Sequence, residues 1–274
     1  MKRVVLLFML LVVLTGCQPK SEAVLPTQTT LSEPTATESS EPETTIPETT
    51  EAEPTEPETT IPEPTEPEHS DLYLPGVSVE NVIIWYNEVC LDGEYVNSGD
   101  PSRVQKCNVP IRYWIYGEPT AEDLDTIEKF VDWVNTVEGF PGMAQAELEA
   151  ESNLQIHFTD QQGLLNVMGS EYTNLDGAVT FWYDNDAIYD GDICIRTDLD
   201  QYLRNSVILE EIYNGLGPIQ DTVLRPDSLI YQEYSQPQAL TEVDELILKL
   251  LYHPDILCGM DAAACESVIR QLYY

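Results

Sequence analysis

Residues 18–69 consist mainly of threonine, glutamate, proline and serine, and this bias most constrains how the chain folds. The octapeptide that begins at Glu41 recurs unchanged from Glu56. A segment with so few bulky apolar side chains cannot bury enough surface to offset the entropy of ordering. The following stretch of roughly 200 residues is of globular composition and long enough for one domain with a core. We therefore expect a disordered linker over 17–70 and one globular domain over 71–274.

The first seventeen residues have the pattern of an export signal. Lys2 and Arg3 precede a short apolar run, which ends in Leu14-Thr15-Gly16-Cys17. These features are typical of a secretory signal, and the run is shorter than the about 20 residues that a membrane-spanning helix needs. Its end resembles the bacterial lipobox, in which the cysteine becomes the lipidated N-terminus. We expect residues 1–16 to be a cleaved lipoprotein signal and Cys17 to carry the lipid. An ordinary signal that releases a free protein is the alternative.

The net charge of −37 limits the partners of this chain. Nucleic-acid backbones select for lysine and arginine, so we expect no nucleic acid to bind. Anionic lipid surfaces repel such a chain, so contact with the membrane should run through the lipid on Cys17. The charge favours solubility and cationic partners or divalent ions.

Five cysteines remain once Cys17 is assigned to the lipid. Cys90 and Cys107 flank a polar loop between two strand-like runs, and Cys258 and Cys265 are close in sequence. Both pairs are candidate disulfides in an exported protein. Cys194 lies within a predicted strand and is expected to be a buried free thiol.

The periodicity of apolar residues predicts an α+β fold. Alternation and β-branched content predict strands over 81–89, 110–116, 154–158, 177–183 and 188–196. Capping residues followed by a helical period predict helices that begin at Thr120, Asp200, Thr241 and Asp261. Strands come early and helices late, with one long helix between the second and third strands, and this order is typical of an α+β domain.

The predicted helix from Asp200 contains the sequence Glu210-Glu211-Ile212-Tyr213-Asn214-Gly215-Leu216-Gly217, which resembles the zinc-protease pattern H-E-x-x-H-x-x-G. Glu210 and Asn214 stand at the two ligand positions of that pattern, and Glu211 stands at the position of the general base. The third ligand position of metzincins falls on Gln220, followed by Asp221. Zinc sites usually need three imidazole or thiolate ligands, and amide side chains are weak ligands. We therefore expect no metal site. A solvated, capped helix face is the structural alternative for Glu210 and Glu211.

Three segments together resemble the "domain of unknown function 2927" family of exported bacterial proteins. They are Ile111 to Ile115, Glu210 to Gly217 and Leu251 to Pro254, and the likeness spans about residues 105 to 260. In addition, Ser228 to Tyr231 resembles the Met-turn of metzincins, with Ile230 in place of methionine. The resemblance implies a zincin-like, metzincin-like fold, a mixed sheet with packed helices, without the zinc ligands.

These features predict a lipoprotein, lipid-anchored outside the cytoplasm, whose non-catalytic zincin-like domain serves binding or scaffolding at the cell envelope. An envelope protein, a peptide or a glycan is the expected ligand, and no cofactor is expected. The alternative is an enzyme, a divergent metallopeptidase that uses Glu211 as its general base.

Overall fold

The computed structural model describes residues 2–5, 70–91, 102–232 and 236–274. Cys17 and the predicted linker, except its last residue Ser70, therefore lie outside the described residues. Within the described residues, no helix combines the length and apolar character needed to cross a membrane.

One mixed, mostly parallel sheet of seven strands organises the described residues. The strands are β1 (Lys2–Val5), β2 (Lys106–Cys107), β3 (Ile111–Tyr116), β4 (Met143–Gln145), β5 (Leu154–Thr159), β6 (Gly177–Asp184) and β7 (Ala187–Arg196). Their order is β1-β6-β7-β5-β3-β4, and β2 pairs with β7. The pairs β3–β4, β3–β5, β5–β7 and β2–β7 are parallel, whereas β6 is antiparallel to both β7 and β1.

Six α-helices lie within the described ranges. They are α1 (Val79–Leu91), α2 (Ala121–Val134), α3 (Gln161–Met168), α4 (Gln201–Gly215), α5 (Glu242–Tyr252) and α6 (Ala262–Leu272). The four predicted helix starts are confirmed, because Thr120, Asp200, Thr241 and Asp261 are the residues that cap α2, α4, α5 and α6. Each side chain accepts a hydrogen bond from the backbone N–H three residues later. The backbone donors at these helix ends are thereby satisfied.

The predicted strand over 81–89 is wrong, because this segment belongs to α1. Its β-branched and aromatic residues suggest a strand, but their burial follows a helical period. Val82, Tyr86 and Val89 are buried, whereas Ile84 is 52% exposed. The four other predicted strands are confirmed as β3, β5, β6 and β7. The sequence analysis did not predict α3, β1, β2 and β4.

Helices cover both faces of the sheet at β6 and β7. Val179 and Ile193 belong to the main core that includes α4, whereas Ala178 and Cys194 pack in a separate cluster with α3. Neighbouring residues of a strand point to opposite faces, so α3 and α4 lie on opposite sides of the sheet. Cys194 is fully buried and is a free thiol, as predicted.

Neither predicted disulfide is present in the structure, in which all five cysteines of the described residues are free thiols. The pairing of Cys90 with Cys107 assumed a hairpin, but Cys90 lies in α1 and Cys107 in β2. Cys258 lies in the loop before α6, and its Sγ donates toward the Lys106 carbonyl at 3.7 Å. Cys265 is fully buried in α6.

The strand β1 falls within the segment predicted to be cleaved. Lys2 lies opposite Tyr183, and Val5 lies opposite Thr180 on β6. β1 pairs only with β6, at one edge of the sheet. A chain cleaved before Cys17 would lack this strand.

Candidate functional site

The helix α4 is held between the sheet and a second helix, which fixes the positions of Glu210 and Glu211. It packs against α2 on one side and against β6 and β7 on the other. An ion pair joins it to α2, since Arg204 Nε lies 2.9 Å from Asp123 Oδ1 and both side chains are buried. Most side chains from Arg204 to Gly215 are therefore excluded from solvent.

The end of the α4 motif requires glycine at position 217. Gly217 has φ +125°, a conformation that other residues rarely adopt. A Cβ there would lie 2.5 Å from the Gln105 carbonyl oxygen and 3.0 Å from a Leu251 methyl carbon. The close approach of these two segments explains the glycine without any role in metal binding.

Glu211 is deeply buried beside the first residue of β6. Its side chain is 2% exposed. A Cβ on Gly177 would lie 2.8 Å from Glu211 Oε1, so the absence of a side chain at Gly177 makes room for the carboxyl. Glu211 Oε2 has no hydrogen-bond partner among the described residues. The alternative of a solvated helix face is therefore wrong for Glu211.

A cavity of about 140 Å³ lies beside α4. Four acidic residues line it, namely Asp176, Glu210, Glu211 and Asp221. Leu229 and Tyr231 line it as well, so the segment that resembles a Met-turn forms part of the wall. The structure thus brings together three predicted site residues and adds Asp176, which the sequence analysis missed. The only local signal for Asp176 is its position just before the glycine that opens β6.

Burial and the repulsion of neighbouring carboxyls raise the pKa of Glu210 and Glu211. For Glu211, burial raises the pKa most, followed by the charges of Glu210 and Asp221. The pKa of Glu210 is raised by burial and then by Asp221 and Asp176. Buried carboxyls this close to one another disfavour the fully ionised state. The cluster therefore favours a protonated carboxyl or a bound positive charge over full ionisation.

Arg196 offsets part of this negative charge at Asp176. Its Nη1 lies 3.2 Å from Asp176 Oδ1, and it also pairs with Asp198. Burial nevertheless raises the pKa of Asp176, against the opposing effect of Arg196. Arg196 is not among the residues that line the cavity, so the acidic lining remains open to a further cation.

Asn214 and Gln220, two of the predicted ligand positions, do not line this cavity. Asn214 is fully buried, and neither atom of its amide has a hydrogen-bond partner among the described residues. The backbone N–H of Gln220 donates to the Val89 carbonyl oxygen at 3.2 Å. The ligand set Glu210, Asn214 and Gln220 is therefore not assembled around the cavity.

The described carboxyls are not grouped in the way that metal ligands are. Within the described ranges, no three His, Cys, Asp or Glu side chains converge closely enough to hold one. Zinc and calcium need donors within about 2.0–2.6 Å of a single point. An organic cation has hydrogens that point in several directions and bridges carboxylates that lie farther apart.

Asp244 fixes the Met-turn-like segment to the start of α5. Its Oδ1 accepts from Ser228 Oγ at 2.6 Å, and its Oδ2 accepts from the Leu229 N–H at 2.9 Å. The same carboxylate completes the capping box with Thr241. Sequence analysis identified the cap but not this second role, which depends on residues about 15 positions away.

A protein-family model described as "Protein of unknown function (DUF2927)" matches residues 81–271. The match begins within α1 and ends within α6, so it contains the whole lining of the cavity. The search of curated proteins finds no match.

Proposed function

The chain belongs to the DUF2927 family, and we propose that its domain binds a cationic group in the cavity beside α4. We further propose that a lipid on Cys17 anchors the chain to the membrane outside the cytoplasm. The mixed sheet with an antiparallel strand beside the Glu210-Glu211 helix is compatible with a zincin-like arrangement. On this proposal the domain is a binding or scaffolding module rather than an enzyme.

The observation that carries the binding proposal is the buried carboxyl of Glu211. One of its oxygens lacks a partner among the described residues, and the side chain is 2% exposed. Leaving a buried polar group unpaired costs about 1–3 kcal/mol, and more when the group is charged. A cation that donates hydrogen bonds to Glu211 and its acidic neighbours removes this cost. The cavity therefore favours a cationic ligand over a neutral or anionic one.

An ammonium or guanidinium group suits this cavity better than a metal ion does. Glu210, Glu211 and Asp221 line it without converging on one point. A lysine ammonium has three donors and an arginine guanidinium has five, which allows each to pair with more than one carboxylate. The ligand class that follows is a basic side chain or a free amine of an envelope peptide or protein.

The net charge of the chain is consistent with export and with anchoring through a lipid. The net charge of −37 opposes adsorption to anionic lipid, so the lipid would hold the chain at the membrane while the domain stays in solution. This proposal requires that β1 be absent from the mature sheet, because it precedes Cys17.

Binding is tested by calorimetry of the purified chain with Ala-Lys-Ala and with its neutral counterpart Ala-Gln-Ala, both acetylated at the N-terminus and amidated at the C-terminus so that they differ only in the lysine ammonium. We expect only the lysine peptide to bind, and Glu211→Gln to weaken binding by about tenfold or more, or about 1.4 kcal/mol. Glu147→Gln removes the same charge at an exposed site outside the cavity and should leave the affinity unchanged. Equal affinity for both peptides, or equal effects of both variants, would contradict the proposal.

A divergent metallopeptidase is the second candidate, because Glu211 lines the cavity and burial raises its pKa. General acids and bases operate best when their pKa lies near the working pH. Two results together would favour the metallopeptidase over the binding module. They are tightly bound zinc at one equivalent and peptide cleavage that Glu211→Ala abolishes. Calcium and zinc titrations of the same purified chain provide the comparison.

The anchor is tested by changing Cys17→Ser and fractionating cells. We expect the wild-type chain in the membrane fraction and the variant in the soluble exported fraction, because the serine cannot receive the thioether-linked lipid. Recovery of the variant in the membrane would show that Cys17 is not the anchor.

A further inference from the structure

The segment that ends in β2 runs beside the loop between α5 and α6. The Val104 N–H donates to the Met260 carbonyl oxygen at 2.9 Å, and the Gly259 N–H donates to the Val104 carbonyl oxygen at 2.9 Å. The Lys106 ammonium donates to the Ile256 carbonyl oxygen at 2.5 Å. These three contacts fix the two backbones side by side.

Two cysteines lie at this junction. Cys258 Sγ is 3.7 Å from the Lys106 carbonyl oxygen, and that carbonyl group forms the peptide bond to Cys107. The Cys258 thiol therefore lies beside the backbone of Cys107. Cys107 is 6% exposed, whereas Cys258 is half-buried. An oxidant in solution thus reaches Cys258 more readily than the fully buried thiols of Cys90, Cys194 and Cys265.

We propose that Cys107 and Cys258 are joined by a disulfide bond in the exported protein, a pairing that replaces the two read from sequence spacing. Disulfides persist in oxidising compartments, so the permanence of the bond rests on the proposed export. The proximity of the two residues does not depend on export.

The oxidant is a disulfide, either of a thiol oxidoreductase or of a small molecule such as glutathione disulfide. The Cys258 thiolate attacks one sulfur of that disulfide and displaces the other as a thiolate, which leaves a mixed disulfide. Cys107 then loses its proton to water, attacks Cys258 Sγ and displaces the second external thiolate. Two protein thiols are oxidised, and one external disulfide is reduced to two thiols.

The environments of the two thiols support this order of attack. Burial raises the pKa of Cys258, but the nearby Lys106 ammonium opposes the shift. Burial raises the pKa of Cys107 to about 12, and the charge of Cys258 adds to this effect. Because the thiolate is the nucleophile, Cys258 reacts first and Cys107 resolves the mixed disulfide.

The test is disulfide mapping of the purified full-length chain after treatment with glutathione disulfide. Free thiols are alkylated, and the chain is cleaved with trypsin and with a protease that cuts before aspartate. Trypsin releases Cys107 in the peptide 107–112, and cleavage before Asp255 and Asp261 isolates Cys258 from Cys265. We expect the peptides 107–112 and 255–260 to be joined. Reduction should lower the Tm by on the order of 10 °C, because the bond closes a long loop of the unfolded chain.

Matched variants separate this pairing from the others. Cys107→Ser and Cys258→Ser should each abolish the joined peptide and the effect of reduction on Tm, whereas Cys194→Ser should preserve both. A bond from Cys258 to Cys265 or from Cys107 to Cys90 would overturn the proposal, as would alkylation of both thiols after oxidation. If the bond forms in the purified chain but is missing from protein isolated from cells, the proposed export is wrong and the pairing stands.

Discussion

The buried carboxyl of Glu211 determines how the cavity responds to pH. Burial raises its pKa, and Glu210 and Asp221 add to the shift. Asp176 lines the same cavity, and Arg196 partly neutralises it. Cys194 is near enough for the charge of Glu211 to raise its pKa. The charged residues that line the cavity are all acidic, so ionisation of Glu211 opposes folding unless a cation binds.

We predict that the free energy of unfolding decreases as pH rises above about 4.5 and that Glu211→Gln reduces this dependence. The raised pKa means that the folded state retains a proton which the unfolded state loses. The stabilisation is therefore present at low pH and is lost as pH rises through the folded-state pKa. At neutral pH the variant should be more stable than the wild-type chain, because no charge has to be buried at position 211.

Urea unfolding at pH 5 and pH 8 measures this effect. Glu147→Gln is the matched control, because its carboxyl is exposed. A pH dependence that is the same in the two variants would show that Glu211 is not the group responsible.

At the scale of elements, two residues that complete helix caps also contact segments that are distant in the sequence. Asp123 completes the capping box of α2 with Thr120 and also pairs with Arg204 on α4. Burial raises the pKa of Asp123, but its hydrogen bonds from Arg204, Thr120 and Gln201 outweigh burial and lower it overall. Asp244 has the same double role at α5 and the cavity wall. The capping boxes follow from sequence because the partners are three residues apart, whereas the second contacts depend on which elements pack together.

We predict that Asp244→Ala destabilises the domain by about 2–4 kcal/mol, because it removes a cap and leaves the buried donors of Ser228 and Leu229 unpaired. The variant should also weaken binding of Ala-Lys-Ala, since Leu229 lines the cavity. Thermal unfolding and calorimetry measure the two effects. Asp261→Ala removes a cap at α6 and should cost only about 0.5–2 kcal/mol, with no change in affinity. Equal losses in the two variants would argue against the second role of Asp244.

For the whole molecule, the seven-stranded sheet places β6 between β7 and β1. Ordering four residues of β1 costs about 1–2 kcal/mol each, whereas each of its hydrogen bonds contributes about 0.5–1.5 kcal/mol. The entropic cost of ordering β1 and the free energy gained from its hydrogen bonds are therefore similar in size. β1 lies at the edge of the sheet, so its removal leaves the other strand pairs intact, and the fold is compatible with removal of the segment before Cys17.

We predict that a chain beginning at residue 17 has a Tm within about 4 °C of the full chain, a shift that corresponds to about 1 kcal/mol or less in a domain of this size. Deletion through residue 78 is the control. It also removes the contacts of Leu74 and Val77 with the Tyr273 hydroxyl and should lower the Tm further. A large loss on removal of residues 1–16 alone would show that β1 belongs to the stable fold and would contradict the proposed cleavage.

The sequence by itself determined where α2, α4, α5 and α6 begin and identified four of the central strands, because caps and alternation depend on residues within a few positions. It also placed Glu210, Glu211 and Asp221 close together in the chain. Only the tertiary structure decided that 81–89 is a helix, that Asp176 joins those carboxyls around one cavity, and that Cys258 lies beside Cys107. Each of these depends on contacts between distant segments, which the order of the strands and the packing of the helices bring together.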